Sequence, residues 1–483
     1  LRYRLPHTLW GKLQQIVLAL QLERHYSKRE LLTAYFNLAP YGRNIEGVEA
    51  ASLIYFNKPA TELTLPEALA LSVIPQNPVR RNPTTRPGIT QLLAARSRLF
   101  DRWLQQHPED GARRTQLELP LAVRPPEQLP FHAPHFVNAI AAGPGRIDTP
   151  LNLTLQQQLE QGVSRYIARR SGEGIRNAAA LLIDSRDMAV VGRLGSADFF
   201  NQKIAGQVDG SRARRSPGSA LKPFIYALAL EQGLIHPMTM LKDAPKRFGA
   251  YTPENFDQQF LGPLFARDAL IKSRNVPAVN LTAGLAEPGL YGFLQQAGVG
   301  EMREPQFYGL ALALGGLEVT MEELAGLYAM MANGGEWRQP RSMVSDKTAE
   351  PRRLLSPEAA FITLEMLRNN SPPQGGSLPG VVNKSQRVAW KTGTSYAFRD
   401  AWSVGVVGPY VLAVWVGNFD GSGNPALVGR TAAGPLLFEL IESLIEELDV
   451  PIEKEDVLPK IYRIRNADAT EVEKLLNTIF GNR

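Results

Sequence analysis

The sequence predicts a multidomain α+β protein, with a helix-rich N-terminal region, a mixed connector, and a second domain whose sheet is assembled from both of its ends. Three observations carry this expectation. At 483 residues the chain is too long for one ordinary core. Two capping-box patterns introduce apolar helical runs in the first 83 residues, and strand-like runs bracket a helical middle in the second half.

Residues 1 to about 83 form the first expected segment. Ser27-Lys-Arg-Glu30 opens the run Leu31 to Asn37, and Thr64-Leu-Pro-Glu67 opens Ala68 to Val73. Pro75, Pro78 and Pro83 then end the helical pattern, because proline lacks the amide hydrogen and its ring collides with the preceding turn. Residues 84–177 read as a connector with some structure of its own, holding a Pro-rich patch from Pro120 to Pro134 and a polar helix candidate from Thr154 to Arg170. A second domain over 178–450 begins with the apolar strand candidate Ala178 to Asp184. Helices are expected from Ser219, from Thr320 (boxed by Glu323 and stopped at Asn333-Gly-Gly335) and from Ser356. Strands are expected at Val388 to Lys391, Ala401 to Val407 and Val411 to Asn418. The apolar stretch from Val404 to Val416 is broken by Gly408-Pro409, so it reads as two strands around a turn rather than a membrane span.

Composition narrows the function classes. The hydrophobic share of 44% and charged share of 21% are those of a folded globular protein. Fifty-three Lys and Arg against 47 Asp and Glu give +6, without a dense basic tract, so no nucleic-acid partner is expected. Cysteine is absent and the six histidines are scattered, so neither a metal site nor thiol chemistry is expected, and no cofactor is called for.

The most informative local pattern is Ser219-Ala-Leu-Lys222. Residues three apart stand on one helical face, and a serine becomes nucleophilic when a neighbouring base takes its proton. A lysine serves as that base where burial or nearby cations strip its charge. Pro223 is tolerated only in a first helical turn, which places the helix start at about Ser219, among free backbone N–H groups able to hold an oxyanion. About one Ser-x-x-Lys is expected by chance in a chain of this length, so the pair needs company. Ser273-Arg-Asn275 and Lys391-Thr-Gly393 provide it, in an order associated with serine acyl-enzymes. Ser273 suits a proton relay and Asn275 a hold on Lys222 and a substrate amide. Lys391, with the hydroxyls of Thr392 and Thr394, suits a substrate carboxylate. Gly393 lets the edge strand come close to substrate, and the Thr394 N–H suits a second oxyanion donor beside that of Ser219.

Together with Gly206 to Gly210, Tyr308 to Gly316 and Trp415-Val-Gly-Asn418, these motifs resemble the transpeptidase domain of bifunctional class A penicillin-binding proteins. The resemblance implies a β-lactamase-like serine transpeptidase fold, a central antiparallel sheet flanked by helices. It also implies cross-linking of peptidoglycan stem peptides with release of D-Ala, and acylation of Ser219 by β-lactams. Gly11 to Gln15, Glu23 to Glu30, Tyr35 to Gly42 and Glu67 to Pro75 resemble the later motifs of the family's peptidoglycan glycosyltransferase, which acts on a lipid-linked precursor. The motifs carrying its catalytic base are not among these residues, so a glycosyltransferase fragment is expected. Its second carboxylate position falls on Gln15, with Lys12 kept and Gly11 in place of Arg, and glycan polymerisation is expected to be absent.

The resemblance further implies a site at the periplasmic face of the bacterial inner membrane, an anchor outside these residues, and cell-envelope protein partners. Residues 451–483 depart from the family pattern. A strand at Ile461 to Arg465 and an amphipathic helix after Thr470 are faintly similar to the start of a small secretin domain. Two other functions share the motifs or the chain: a D,D-carboxypeptidase or serine β-lactamase passing the acyl group to water, and a non-enzymatic wall-assembly scaffold. The N-terminal motifs argue against the first, and the intact serine and lysine set against the second.

Overall fold

The computed structural model describes residues 8–448 except 43–44, 118, 125–130, 141–146, 250, 347–349 and 374–387. The strand and helix expected within 451–483 lie outside the described residues. The chain divides into two compact units, Leu1–Phe131 and His132–Arg483.

The first unit is helical: α1 (Leu9–His25), α2 (Lys28–Leu38), α3 (Val48–Phe56), α4 (Leu65–Val73) and α5 (Arg86–Gln106). Both expected capping boxes form, with Glu30 and Glu67 reaching back to the backbone N–H groups of Ser27 and Thr64. Helical structure resumes after Pro83. Thr85 caps α5, whose Leu92 and Ala95 share a core with Leu71 and Ile74. Inside the stretch read as a connector, α5 thus packs on the first unit.

In the second unit α6 (Leu153–Arg170) is the expected polar helix, and its Leu155, Leu159 and Val163 are buried against the sheet. That sheet has five antiparallel strands, β1 (Asn177–Asp184), β2 (Ala189–Leu194), β5 (Ala389–Thr394), β6 (Asp400–Val407) and β7 (Tyr410–Gly417), in the order β2-β1-β7-β6-β5. It draws two strands from the start of the domain and three from its end. Gly408 and Pro409 form the predicted turn between β6 and β7. One sheet face meets the core containing α7 (Lys222–Glu231), α9 (Met321–Ala332) and α10 (Pro357–Arg368). The other meets α6 and α11 (Gly434–Leu448). With both faces covered, β1, β6 and β7 are buried along nearly their whole length rather than at alternate residues. Between β2 and β5 the chain also forms a ribbon of β3 (Met240–Asp243) and β4 (Gly262–Phe265), followed by α8 (Asn275–Gly284).

Candidate active site

Ser219 lies in a 3-10 turn, Gly218–Leu221, which runs directly into α7 with Pro223 in its first turn. Helical structure therefore starts where proline requires, but as a tighter helix than an α-turn. Three residues per turn bring side chains three apart into line, which aligns Ser219 with Lys222 more closely than α geometry would. The turn is fixed from several sides. The Tyr328 hydroxyl donates to Ala220 O at 2.7 Å, Trp402 Nε1 donates to Ser216 O at 3.0 Å, and Ser216 Oγ donates to Gly315 O at 2.7 Å. Gly218 has φ +53°, and a Cβ there would sit 2.4 Å from Thr394 O. Only glycine satisfies both conditions.

Lys222 is fully buried. Its Nζ donates to Ser273 O and to Asn275 Oδ1, each at 2.6 Å, and lies 3.4 Å from Ser273 Oγ. In a neutral amine those two short bonds use both hydrogens and leave the lone pair free. Burial, then the charges of Lys391 and Arg274, hold the ammonium form well below the usual lysine range, against an opposing pull from Asp243. Lys391 is also buried. Its Nζ donates to Ser273 Oγ at 2.8 Å and to Thr392 O at 3.0 Å, and burial followed by the charge of Arg430 lowers its pKa to about 7. Ser273 thus stands between two lysine amines. It adopts φ +57°, an uncommon conformation for a residue with a side chain and one that turns its carbonyl toward Lys222.

Strand β5 supplies the remaining predicted residues. Lys391 and Gly393 face the serine turn, while Thr392 and Thr394 face Gly429, whose N–H donates to Thr394 Oγ1 at 2.9 Å. The two threonine hydroxyls therefore stand on the strand face opposite Lys391. A Cβ on Gly393 would lie 2.0 Å from Pro217 O, so the close approach this glycine permits is to the serine turn, where the sequence suggested substrate. Ser395 N–H donates inward to Asp400 O at 2.9 Å. Strand alternation then leaves the N–H of Thr394 on the free edge of the sheet, beside Gly218.

The structure brings Lys222, Ser273, Asn275 and Lys391 into one hydrogen-bonded cluster beside Ser219, although 172 residues separate Ser219 from Lys391 (391 minus 219). Lys12 and Gln15 lie elsewhere, exposed on α1 in the first unit. Sequence reasoning missed several supporting groups. Asp400 accepts from Ser395 Oγ at 2.8 Å, Trp415 Nε1 at 2.9 Å and Arg215 at 3.2 Å, tying β5 to the segment before Ser219. Asp243, Asn255 and Arg274 lock the Ser273-Arg-Asn275 turn. Arg274 sat inside a recognised motif, yet nothing local marked its partners, 31 and 17 residues away.

A transglycosylase family model matches residues 2–102, and a penicillin-binding protein transpeptidase domain model matches residues 178–429. The chain is 36% identical over 450 residues to penicillin-binding protein 1C of Escherichia coli, covering 91% of this chain and 56% of that protein. It thus spans little more than half the length of this relative. It is 26% identical to penicillin-binding protein 1F of Bacillus subtilis, over 99% of this chain and 73% of that one. Among solved structures it is similar in fold to penicillin-binding protein 1A of Haemophilus influenzae, with TM-score 0.62, 18% identity, and coverage of 91% of this chain and 87% of that one. PonA1 of Mycobacterium tuberculosis in complex with penicillin V gives TM-score 0.53 at 20% identity, over 66% of this chain and 89% of that one.

Proposed function

The chain belongs to the penicillin-binding proteins, with a transglycosylase region ahead of a transpeptidase domain, and from that premise we propose that its second unit is a serine D,D-transpeptidase. Its substrates are peptidoglycan stem peptides ending in D-Ala-D-Ala. Ser219 Oγ attacks the penultimate D-Ala carbonyl as Lys222 takes its proton, and the N–H groups of Ser219 and Thr394 hold the oxyanion. The peptide C–N bond then breaks. The departing D-Ala amine receives a proton through Ser273, which is bonded to the lysines on both sides. Lys391 receives the terminal carboxylate and Gly393 seats the strand against the turn, while the hydroxyls of Thr392 and Thr394 face Gly429 on the other side of β5. An amine of a second stem attacks the acyl-enzyme, forming the cross-link and freeing Ser219.

The observation that carries this reading is the buried Lys222 amine, with both hydrogens of its neutral form engaged one helical turn from Ser219. β-Lactams are expected to acylate the same serine. Incubation with a fluorescent penicillin tests it. Stable labelling lost in Ser219→Ala supports the proposal. Labelling that decays quickly favours a carboxypeptidase or lactamase, and no labelling favours a non-enzymatic scaffold.

Glycan polymerisation is proposed to be absent from this chain, because Gln15 stands where the family places its second carboxylate, and an amide neither carries a carboxylate's charge nor takes up a proton near neutral pH. Polymer formed from lipid-linked precursor by the 483-residue protein would refute this. Where stem peptides lie, the active site must open to the periplasmic face of the inner membrane. No helix among the described residues is long and apolar enough to cross a membrane. Membrane attachment and partners in the cell envelope belong to the same proposal, on the family resemblance alone.

A further inference from the structure

The residue between Ser273 and Asn275 is an arginine, and it is nearly as buried as the lysine the two flanking residues hold. Arg274 is 6% exposed, and Asp243, at the end of β3, is fully buried. Arg274 Nε donates to Asp243 Oδ2 at 2.8 Å, Nη1 donates to Asp257 at 2.8 Å, and Nη2 donates to Gln259 O. The other oxygen of Asp243 accepts from Asn255 Nδ2 at 2.7 Å. Asn255 Oδ1 in turn accepts the N–H of Asn275 at 2.8 Å, and Asn275 Nδ2 donates to Glu254 O at 2.6 Å. One continuous chain of bonds therefore runs from Asp243 through Asn255 to Asn275, whose Oδ1 accepts from Lys222 Nζ, and Arg274 joins Asn275 along the backbone to Ser273, whose carbonyl is the other acceptor.

Burying an ion pair costs several kcal/mol per ion before attraction and hydrogen bonds offset it, so a buried pair is weak evidence of a stabilising role by itself. Its position beside Lys222 gives it another. We propose that Arg274 and Asp243 form a positioning pair for Lys222, the arginine opposing a positive charge on the amine and the aspartate fixing the arginine and limiting that opposition. Neither touches substrate, and the inference rests on the reading of Lys222 as the base for Ser219.

The charges bearing on Lys222 come from three elements: Lys391 on β5, Arg274 at the N-cap of α8, and Asp243 on β3. Arg274 weighs more than Asp243, and the two act in opposite directions. Tyr226, one turn along α7 from Lys222, stays neutral, since burial raises its hydroxyl pKa far above the usual range. The two halves of one ion pair should therefore shift the base oppositely, which loss of a merely structural bond would not do.

The test is the pH profile of Ser219 acylation by a penicillin, whose acid limb reports the free-enzyme base. Asp243→Asn removes the charge that favours the ammonium, so its acid limb should move to lower pH by about half a unit or more. Arg274→Met should move it to higher pH, and the sign persists if Asp243 then takes up a proton, because Arg274 is the stronger influence. Asp257→Asn is the control: its side chain is 45% exposed, and a screened charge should leave the limb close to wild type. Thermal unfolding checks each fold. If Arg274→Met does not fold, a shift in Asp243→Asn without one in Asp257→Asn still supports the pair. Limbs that stay fixed or move together while the plateaus fall overturn it. Failure of the wild type to acylate at all would overturn the proposed function and this inference with it.

Discussion

At the scale of single residues, the site depends on two buried lysines whose pKa values lie below the usual lysine range. Lys391, buried and next to Arg430, has its pKa lowered to about 7. An unfolded lysine titrates near 10.4, so between about 7 and about 10 the unfolded chain binds more protons at this position than the folded one. Stability from Lys391 therefore rises with pH across that window, and the destabilising uptake is complete below it. Lys222 acts with the same sign. In Lys391→Met the rise in melting temperature from pH 7 to 9 should be smaller than in wild type, as differential scanning calorimetry would show. An unchanged or steeper rise would mean that Lys391 is charged in the folded protein. These roles were only half legible in the sequence. The residue types and spacing marked Ser219, Lys222, Ser273, Asn275 and Lys391, whereas burial, which gives the lysines their chemistry, is a property of the packed core.

At the scale of elements, the proposed active site is the seam between the edge strand β5 and the 3-10 turn before α7. Three glycines make that seam possible. Gly218 and Gly315 meet so closely that a Cβ on Gly315 would fall 2.4 Å from Gly218 N, and a Cβ on Gly393 would strike the carbonyl of Pro217. The obstacle at Gly393 is backbone, so it does not swing aside as a side chain would. Gly393→Ala is expected to destabilise the domain by about 1–3 kcal/mol and to cut the acylation rate at least about tenfold, by displacing Thr394 from Ser219. Calorimetry with penicillin acylation kinetics checks this, and wild-type values for both would contradict the seam. The sequence revealed the glycine but not its neighbour, because Pro217 and Gly393 are 176 residues apart (393 minus 217). The α5 helix was missed for a related reason. Pro75, Pro78 and Pro83 do interrupt helices, but the burial of Leu92 and Ala95 against Leu71, which supports a new helix after them, is tertiary.

At the scale of the whole molecule, the second unit draws its sheet from both ends of the domain and places the motifs proposed to be catalytic along one edge of it. That plan was readable, because the apolar strand runs and the Gly408-Pro409 break are local signals. The network around Asp243, Asn255 and Arg274 was not, since hydrogen bonds between distant loops leave no periodicity behind. The first unit carries Lys12 and Gln15 exposed on α1, and the acyl-transfer chemistry proposed for this chain belongs to the second unit. The most direct test supplies a stem pentapeptide ending in D-Ala-D-Ala together with an amine acceptor, and follows D-Ala release and cross-linked product by mass spectrometry. The account predicts D-Ala released with cross-linked product, both abolished in Ser219→Ala. Release of D-Ala with only hydrolysed donor, or turnover that persists without Ser219, would contradict it.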